Sequence, residues 1–149
     1  MKAVVQLVKR ASVLVDRLVI SEIGKGLLVF LGVESDDTLE DIDYLSEKII
    51  NLRIFHDESN KMNLSLRQIS AEILVVSQFT ICGDVRKGNR PSFTSAANAE
   101  KAKDYYDKFT NNLRNRKFEV REGLFRAHME VSLINDGPVT ILLDSRKNF

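Results

Sequence analysis

The sequence predicts a mixed α/β fold rich in strands. Three observations point to it: alternating β-branched residues through most of positions 2–33, two amphipathic segments with helical spacing, and further alternating runs toward the C-terminus. At 149 residues the chain suits one domain, assigned to 1–149, and no internal repeat or low-complexity tract divides it.

The elements follow in order. Lys2 to Val8 and Ala11 to Asp16 read as two strands, with the polar pair Lys9-Arg10 allowing a turn or bulge between them. Leu18 to Ile23 adds a short strand before the turn signal Gly24-Lys25-Gly26, and Leu27 to Val33 reads as a strand buried on both faces. Thr38 and Asp41 resemble a capping box, after which Ile42, Leu45, Ile49 and Leu52 repeat at helical spacing. Arg53 to Phe55 returns to extended chain, and Asp57-Glu58-Ser59-Asn60 makes a polar turn. Ile73 to Thr80 is a second core strand, followed by a long loop from Ile81 to Ser95 whose Gly, Pro and charge suit a functional segment. A second helix runs from Ala97 to Asn115, with Ala102, Tyr105 or Tyr106, Phe109 and Leu113 on one face. Phe118 to Arg121, Met129 to Asn135 and Val139 to Leu143 complete the strands, the last two separated by Asp136-Gly137-Pro138.

Composition narrows the function. Hydrophobic residues make up 44% and charged residues 29%, ordinary values for a soluble globular protein. No apolar run approaches the roughly 20 residues of a membrane span, and no signal peptide opens the chain, so the expectation is a cytoplasmic protein without a membrane partner. Cys82 is the only cysteine, which precludes an internal disulfide and a cysteine-based zinc site. The net charge of +1 gives no global attraction to phosphate, so any RNA contact must be local; Arg86-Lys87-Gly88-Asn89-Arg90 is the best candidate, with Arg146-Lys147 second. A cluster of this kind also occurs as a plain solvated loop.

The conventional catalytic inventory is nearly empty. His56 and His128 stand far apart without metal-binding spacing, and no nucleophile elbow, Walker loop or dinucleotide fingerprint occurs. No metal and no cofactor is expected. Two local sequences remain. Ser77-Gln78-Phe79-Thr80 ends a buried strand in polar groups that either simply terminate it or, with freed backbone N–H groups, hold a carbonyl oxygen as it gains charge. Asn135-Asp136-Gly137-Pro138-Val139-Thr140 reads either as a hairpin turn or as a cis Gly-Pro bend that points two carbonyls the same way.

Taken over nearly the whole chain, the sequence resembles the D-aminoacyl-tRNA deacylase family. The scaffold segments include Met1-Lys2-Ala3-Val4-Val5-Gln6, Asn51-Leu52-Arg53-Ile54-Phe55 and Lys61-Met62-Asn63-Leu64-Ser65. More specific are Ser77 to Thr80 with Arg86 to Phe93, and Val131 to Thr140. The resemblance implies strand-rich sheets forming a barrel-like core with two main helices packed outside. It implies a homodimer in which Gly137-Pro138 of one subunit reaches the site formed by Ser77, Gln78, Phe79 and Thr80 of the other. Asn135, Val139, Thr140 and Met129 are then substrate-binding positions, and Arg86, Lys87 and Arg90 contact tRNA. The implied activity is hydrolysis of D-aminoacyl-tRNA at its aminoacylated 3′ end, with no DNA partner and with main-chain atoms and the terminal 2′-hydroxyl replacing a catalytic side chain. L-residues are refused because rigid carbonyls fill the volume their side chains need, a test that glycine on tRNA passes.

Three positions depart from the family pattern. Leu7 stands where an Arg usually braces the Gly-Pro turn, and Arg126 and His128 stand where Gly and a different polar residue are usual. Two rival functions remain at this stage: a nucleic-acid-binding module without cleavage, and an esterase for small D-amino-acid esters. Deacylation of D- against L-aminoacyl-tRNA tests the first. Removal of the Arg86–Arg90 charges tests the second, since a small-ester esterase would keep its activity and salt dependence.

Overall fold

The computed structural model describes residues 1–148. Its spine is β1 (Lys2–Val15), which pairs along one edge first with β3 (Gly26–Gly32) and then, beyond Arg10, with β2 (Leu18–Ile23). Along its other edge β1 pairs antiparallel with the full length of β8 (Glu130–Asp144). Parallel pairing of β3 with β6 (Glu72–Ser77), and of β6 with β7 (Val120–Glu122), extends the sheet. Because β2 also lies against β6 and β7, the sheet curls into a nearly closed, barrel-like shape.

Side-chain alternation divides the core in two. Ala3, Val5 and Leu7 of β1 face outward onto the helices α1 (Leu39–Asn51) and α2 (Ala99–Asn115), where Leu45, Ile49 and Phe109 cover them. Val8, Val13, Leu28, Leu74 and Val76 point the other way and fill the interior of the curl. The doubly buried strand expected at Leu27 is therefore β3, buried on both faces. Its first residue meets the neighbouring strand closely: a Cβ on Gly26 would stand 2.0 Å from the Glu72 carbonyl oxygen. The Glu72 carboxylate in turn accepts the Gly24 N–H at 2.8 Å, which fixes the turn before β3.

The first helix starts where its cap predicts: the Asp41 carboxylate accepts the Thr38 N–H at 2.7 Å. Several expectations need correction. The two N-terminal strands are one continuous strand, since Lys9 and Arg10 sit at register shifts opposite β8 and make no turn. The strand expected over Ile73 to Thr80 ends at Ser77, and Phe79–Cys82 winds into a 3₁₀ turn. The second helix begins at Ala99, where Asn98 caps it by accepting the Lys101 N–H. The strand expected at Phe118 begins at Val120. Phe55–His56 (β4) pairs with Met62–Leu64 (β5), a small hairpin across the Asp57–Asn60 turn.

The hairpin reading of Asp136-Gly137-Pro138 is also overturned. Both flanking runs belong to β8 and both pair with β1, so the segment is a bulge within one strand. Thr140 pairs with Gln6 and Asn135 with Val8, leaving four residues opposite Leu7 alone.

Candidate active site

β6 delivers its C-terminal end to a cleft. Ser77 is paired with Leu31, and the Gln78 N–H donates to the Leu31 carbonyl at 2.8 Å. The chain then turns, so the N–H groups of Phe79 and Thr80 open the 3₁₀ turn and have no acceptor within it. The Gln78 side-chain amide contacts the Thr80 hydroxyl. Phe79 is 57% exposed, and its ring meets Phe93 edge-on with centroids 5.1 Å apart, which ties the following loop to the strand end.

The cleft encloses about 470 Å³. Ser77, Gln78 and Phe79 form one wall; Ala97 just before α2, with Ala99 and Ala102 in its first turn, forms another and leaves room by the small side chains. Tyr106 closes the floor, its hydroxyl donating to the Val75 carbonyl at 2.8 Å, and burial pushes its phenol well above the usual tyrosine range. It remains a protonated donor. The third wall is the segment Phe125 to Met129, and no carboxylate lines the space. Leu124 and Ala127 close a turn through an N–H to carbonyl bond of 3.2 Å, with Arg126 inside it at φ 65°. That conformation costs an L-residue about 1–2 kcal/mol relative to glycine.

A larger cleft of about 780 Å³ lies at the opposite end of β6, around Lys25, Arg67 and Glu72. None of the residues singled out in the sequence lines it, and two of its cations, Arg67 and Arg116, already bind Glu47. The Ser77 cleft is therefore the candidate site.

The structure brings some predicted site residues together and separates others. Ser77, Gln78, Phe79 and Met129 line the cleft, with Thr80 one residue beyond its wall. Gly137 and Pro138 do not join them: they are exposed on the β8 bulge, with their peptide bond cis. Gly137 sits at φ 116°, and a Cβ there would meet the Val139 side chain at 2.8 Å, so only glycine fits. Asn135 closes the bulge, donating from Nδ2 to the carbonyls of Leu7 and Val139, each at 2.9 Å. Thr140 accepts from Gln6 Nε2 at 3.1 Å. Leu7 itself is 2% exposed and packs its side chain in the core, so it is through its backbone carbonyl that it is tied to the bulge by Asn135.

The loop after the strand is more ordered than its composition predicts. Asp84 and Ser92 form a two-bond bridge, with residues 85–91 as its exposed tip. Arg86 is held there by Asp84 through two bonds of 2.9 and 2.7 Å, and the guanidinium draws the Asp84 carboxyl down to about 2. Lys87 and Arg90 are exposed on the same tip. Cys82 lies beneath, buried, its thiol pushed up to about 11 chiefly by burial. No group of three or more His, Cys, Asp or Glu placed to hold a metal occurs among the described residues. Sequence reading missed the cleft's helical wall: Tyr106 reads as plain core stripe, and only the run of alanines at 97, 99 and 102 hinted at space beside it.

A nearly closed sheet flanked by two helices, with a largely apolar cleft at the end of a central strand, defines a recognisable class of small α/β protein. The family described as D-Tyr-tRNA(Tyr) deacylase matches residues 4–144. The chain is 59% identical over its full length, and that of the relative, to a D-aminoacyl-tRNA deacylase of Caldicellulosiruptor saccharolyticus. It is 56% identical, again over both full lengths, to one of Thermotoga petrophila. Among solved structures, a protein named c-Myc DNA Unwinding Element Binding Protein superposes with a TM-score of 0.90 at 45% identity, covering 97% of this chain and 98% of that one. A probable eukaryotic D-amino acid tRNA deacylase shares the fold, with a TM-score of 0.82 at 18% identity over 95% of this chain and 97% of that one. The chain belongs to the D-aminoacyl-tRNA deacylase family.

Proposed function

We propose that this protein hydrolyses the ester of D-aminoacyl-tRNA, releasing the D-amino acid and tRNA, and that it acts as a homodimer. The observation that carries the reading is the cleft at the end of β6: it is large enough for the terminal nucleoside, and two unpartnered N–H groups, of Phe79 and Thr80, stand at its edge. Such donors stabilise the oxyanion that forms when water attacks the ester carbonyl, and losing one typically slows turnover ~100-fold or more. Among the described residues no base is paired with the Thr80 hydroxyl, whose one bond is to Gln78, so proton transfer falls to the ribose 2′-hydroxyl or a bound water and the threonine is not a covalent nucleophile.

Stereochemistry is read by the Gly137-Pro138 bulge of the partner subunit, whose main-chain oxygens occupy the volume an L side chain would need. Two features support a partner at that face. The bulge is exposed and does not line its own cleft, and near it Val4, Phe30 and Leu142 share one side of the sheet, half-buried at the first two and exposed at the third, since Val4 pairs with both of the others. Leu142 is 57% exposed there. The Lys87 and Arg90 tip, with Arg86, contacts the tRNA backbone; tRNA rather than DNA is the nucleic acid. No helix among the described residues is long and apolar enough to cross a membrane, and we place the protein in the cytoplasm.

The test is hydrolysis of D-tyrosyl-, L-tyrosyl- and glycyl-tRNA side by side. The reading predicts cleavage of the D and glycyl esters, the latter including glycine mischarged on alanine tRNA, with the L ester resistant. Equal rates for D and L would overturn the filter, and resistance of glycyl-tRNA beside a labile D ester would overturn exclusion as its mechanism.

A further inference from the structure

Arg126 is the only Lys, Arg, Asp or Glu among the residues that line the Ser77 cleft. It is exposed, it makes no ion pair or side-chain hydrogen bond among the described residues, and it occupies the one position of the Leu124–Ala127 turn that glycine fills with least strain. Arg17, Lys117 and Lys147 share its left-handed backbone, but among these four cations Arg126 is the one that lines the cleft. The rest of the lining holds no Lys, Arg, Asp or Glu: Phe125, Tyr106 and Met129 suit the faces of a nucleobase, Ser77 and Gln78 suit hydroxyls, and His128 is its one other basic side chain. Arg126 alone among them brings a permanent positive charge.

We propose that Arg126 binds the phosphate on the 5′ side of the terminal nucleoside, making this cleft specific for a phosphorylated RNA end rather than for a free nucleoside or small D-amino-acid ester. The inference rests on the cleft being the seat of the aminoacylated tRNA terminus. The guanidinium presents a planar fork that a phosphate accepts through two oxygens, and in a cleft without carboxylates no internal acid competes for it. Arg126 is thus a specificity residue: it touches substrate and leaves the reacting ester to the main chain at Phe79 and Thr80.

The experiment compares two small substrates, the D-tyrosyl 3′-ester of adenosine and the same ester of adenosine 5′-monophosphate, together with D-tyrosyl-tRNA. Native protein, Arg126→Ala, Arg126→Lys and Arg126→Gly are assayed on each. The proposal predicts that Arg126→Ala lowers kcat/KM for the two phosphorylated substrates by about tenfold or more, through KM, as expected for one lost charge-assisted contact. It leaves the nucleoside ester unchanged, and Arg126→Lys recovers part of the loss. The slope of log kcat/KM against log salt for tRNA falls by about one, the signature of one phosphate contact. Arg126→Gly, which relaxes the turn, behaves like Arg126→Ala.

Equal loss on the nucleoside ester, or full activity of Arg126→Gly beside a defective Arg126→Ala, would show a role in the turn and overturn the proposal. An effect seen only when D-aspartyl replaces D-tyrosyl would assign the guanidinium to an acidic side chain instead, and overturn it equally. Failure of native protein to cleave any of the three substrates is a separate result, which sinks the deacylase reading beneath it.

Discussion

Burial holds the Cys82 thiol at about 11, so at neutral pH it is a protonated group packed under the strand end and not a nucleophile. In the unfolded chain a cysteine ionises near ~8.5. The folded state therefore binds this proton more tightly, and the stability it contributes is full below the unfolded value and lost as pH rises toward 11. Iodoacetamide at pH 8 is expected to label Cys82 slowly in native protein and quickly in denaturant; fast native labelling would contradict the burial. Thr80→Ala is expected to keep most of its turnover, because the hydroxyl has Gln78 as its partner and no base, whereas loss of all activity would make it the nucleophile after all. The sequence disclosed these residues and little of their company. Ser77 to Thr80 stood out as polar groups at a strand end, but the alanines and Tyr106 that complete the cleft come from α2 and the residues just before it, beyond the whole intervening loop, and only the fold brings them to it.

At the scale of elements, β8 shows what periodicity can and cannot reveal. Alternation located its two halves correctly, yet Asp-Gly-Pro between them is equally good grammar for a hairpin and for a bulge. The choice is made by β1, a partner from the other end of the chain, which continues past the interruption and pairs with both sides of it. Asn135 then bridges the bulge to Leu7 and Val139. Asn135→Ala removes both bonds and leaves two part-buried carbonyls without that donor, an expected loss of about 1–3 kcal/mol in chemical denaturation. A loosened bulge should also admit L-tyrosyl-tRNA as a substrate. An Asn135→Ala protein with native stability and native rejection of the L ester would show that the bracing lies elsewhere. The same limit explains β6: its apolar run is clear in sequence, but that it stops at Ser77 depends on Leu31 being its last parallel neighbour.

For the molecule as a whole, the proposed sharing of the site between two subunits would make association and selectivity one property. With the Val4, Phe30 and Leu142 face as its interface, the proposed dimer should be seen by light scattering, and Leu142→Asp, a charge at its most exposed member, should shift the protein to monomer and abolish turnover. A fully active monomer would exclude any filter supplied by a partner. The most direct measurement mixes two defective subunits. Ala102→Trp fills its own cleft but keeps an intact bulge, while Asn135→Ala keeps its cleft and has a loosened bulge. As Ala102→Trp subunits are exchanged into Asn135→Ala protein, each surviving cleft acquires a sound bulge from its neighbour. Hydrolysis of L-tyrosyl-tRNA should therefore fall away while hydrolysis of D-tyrosyl-tRNA by the Asn135→Ala subunits persists; an unchanged ratio of the two activities would show that each chain filters its own substrate, and would contradict the account.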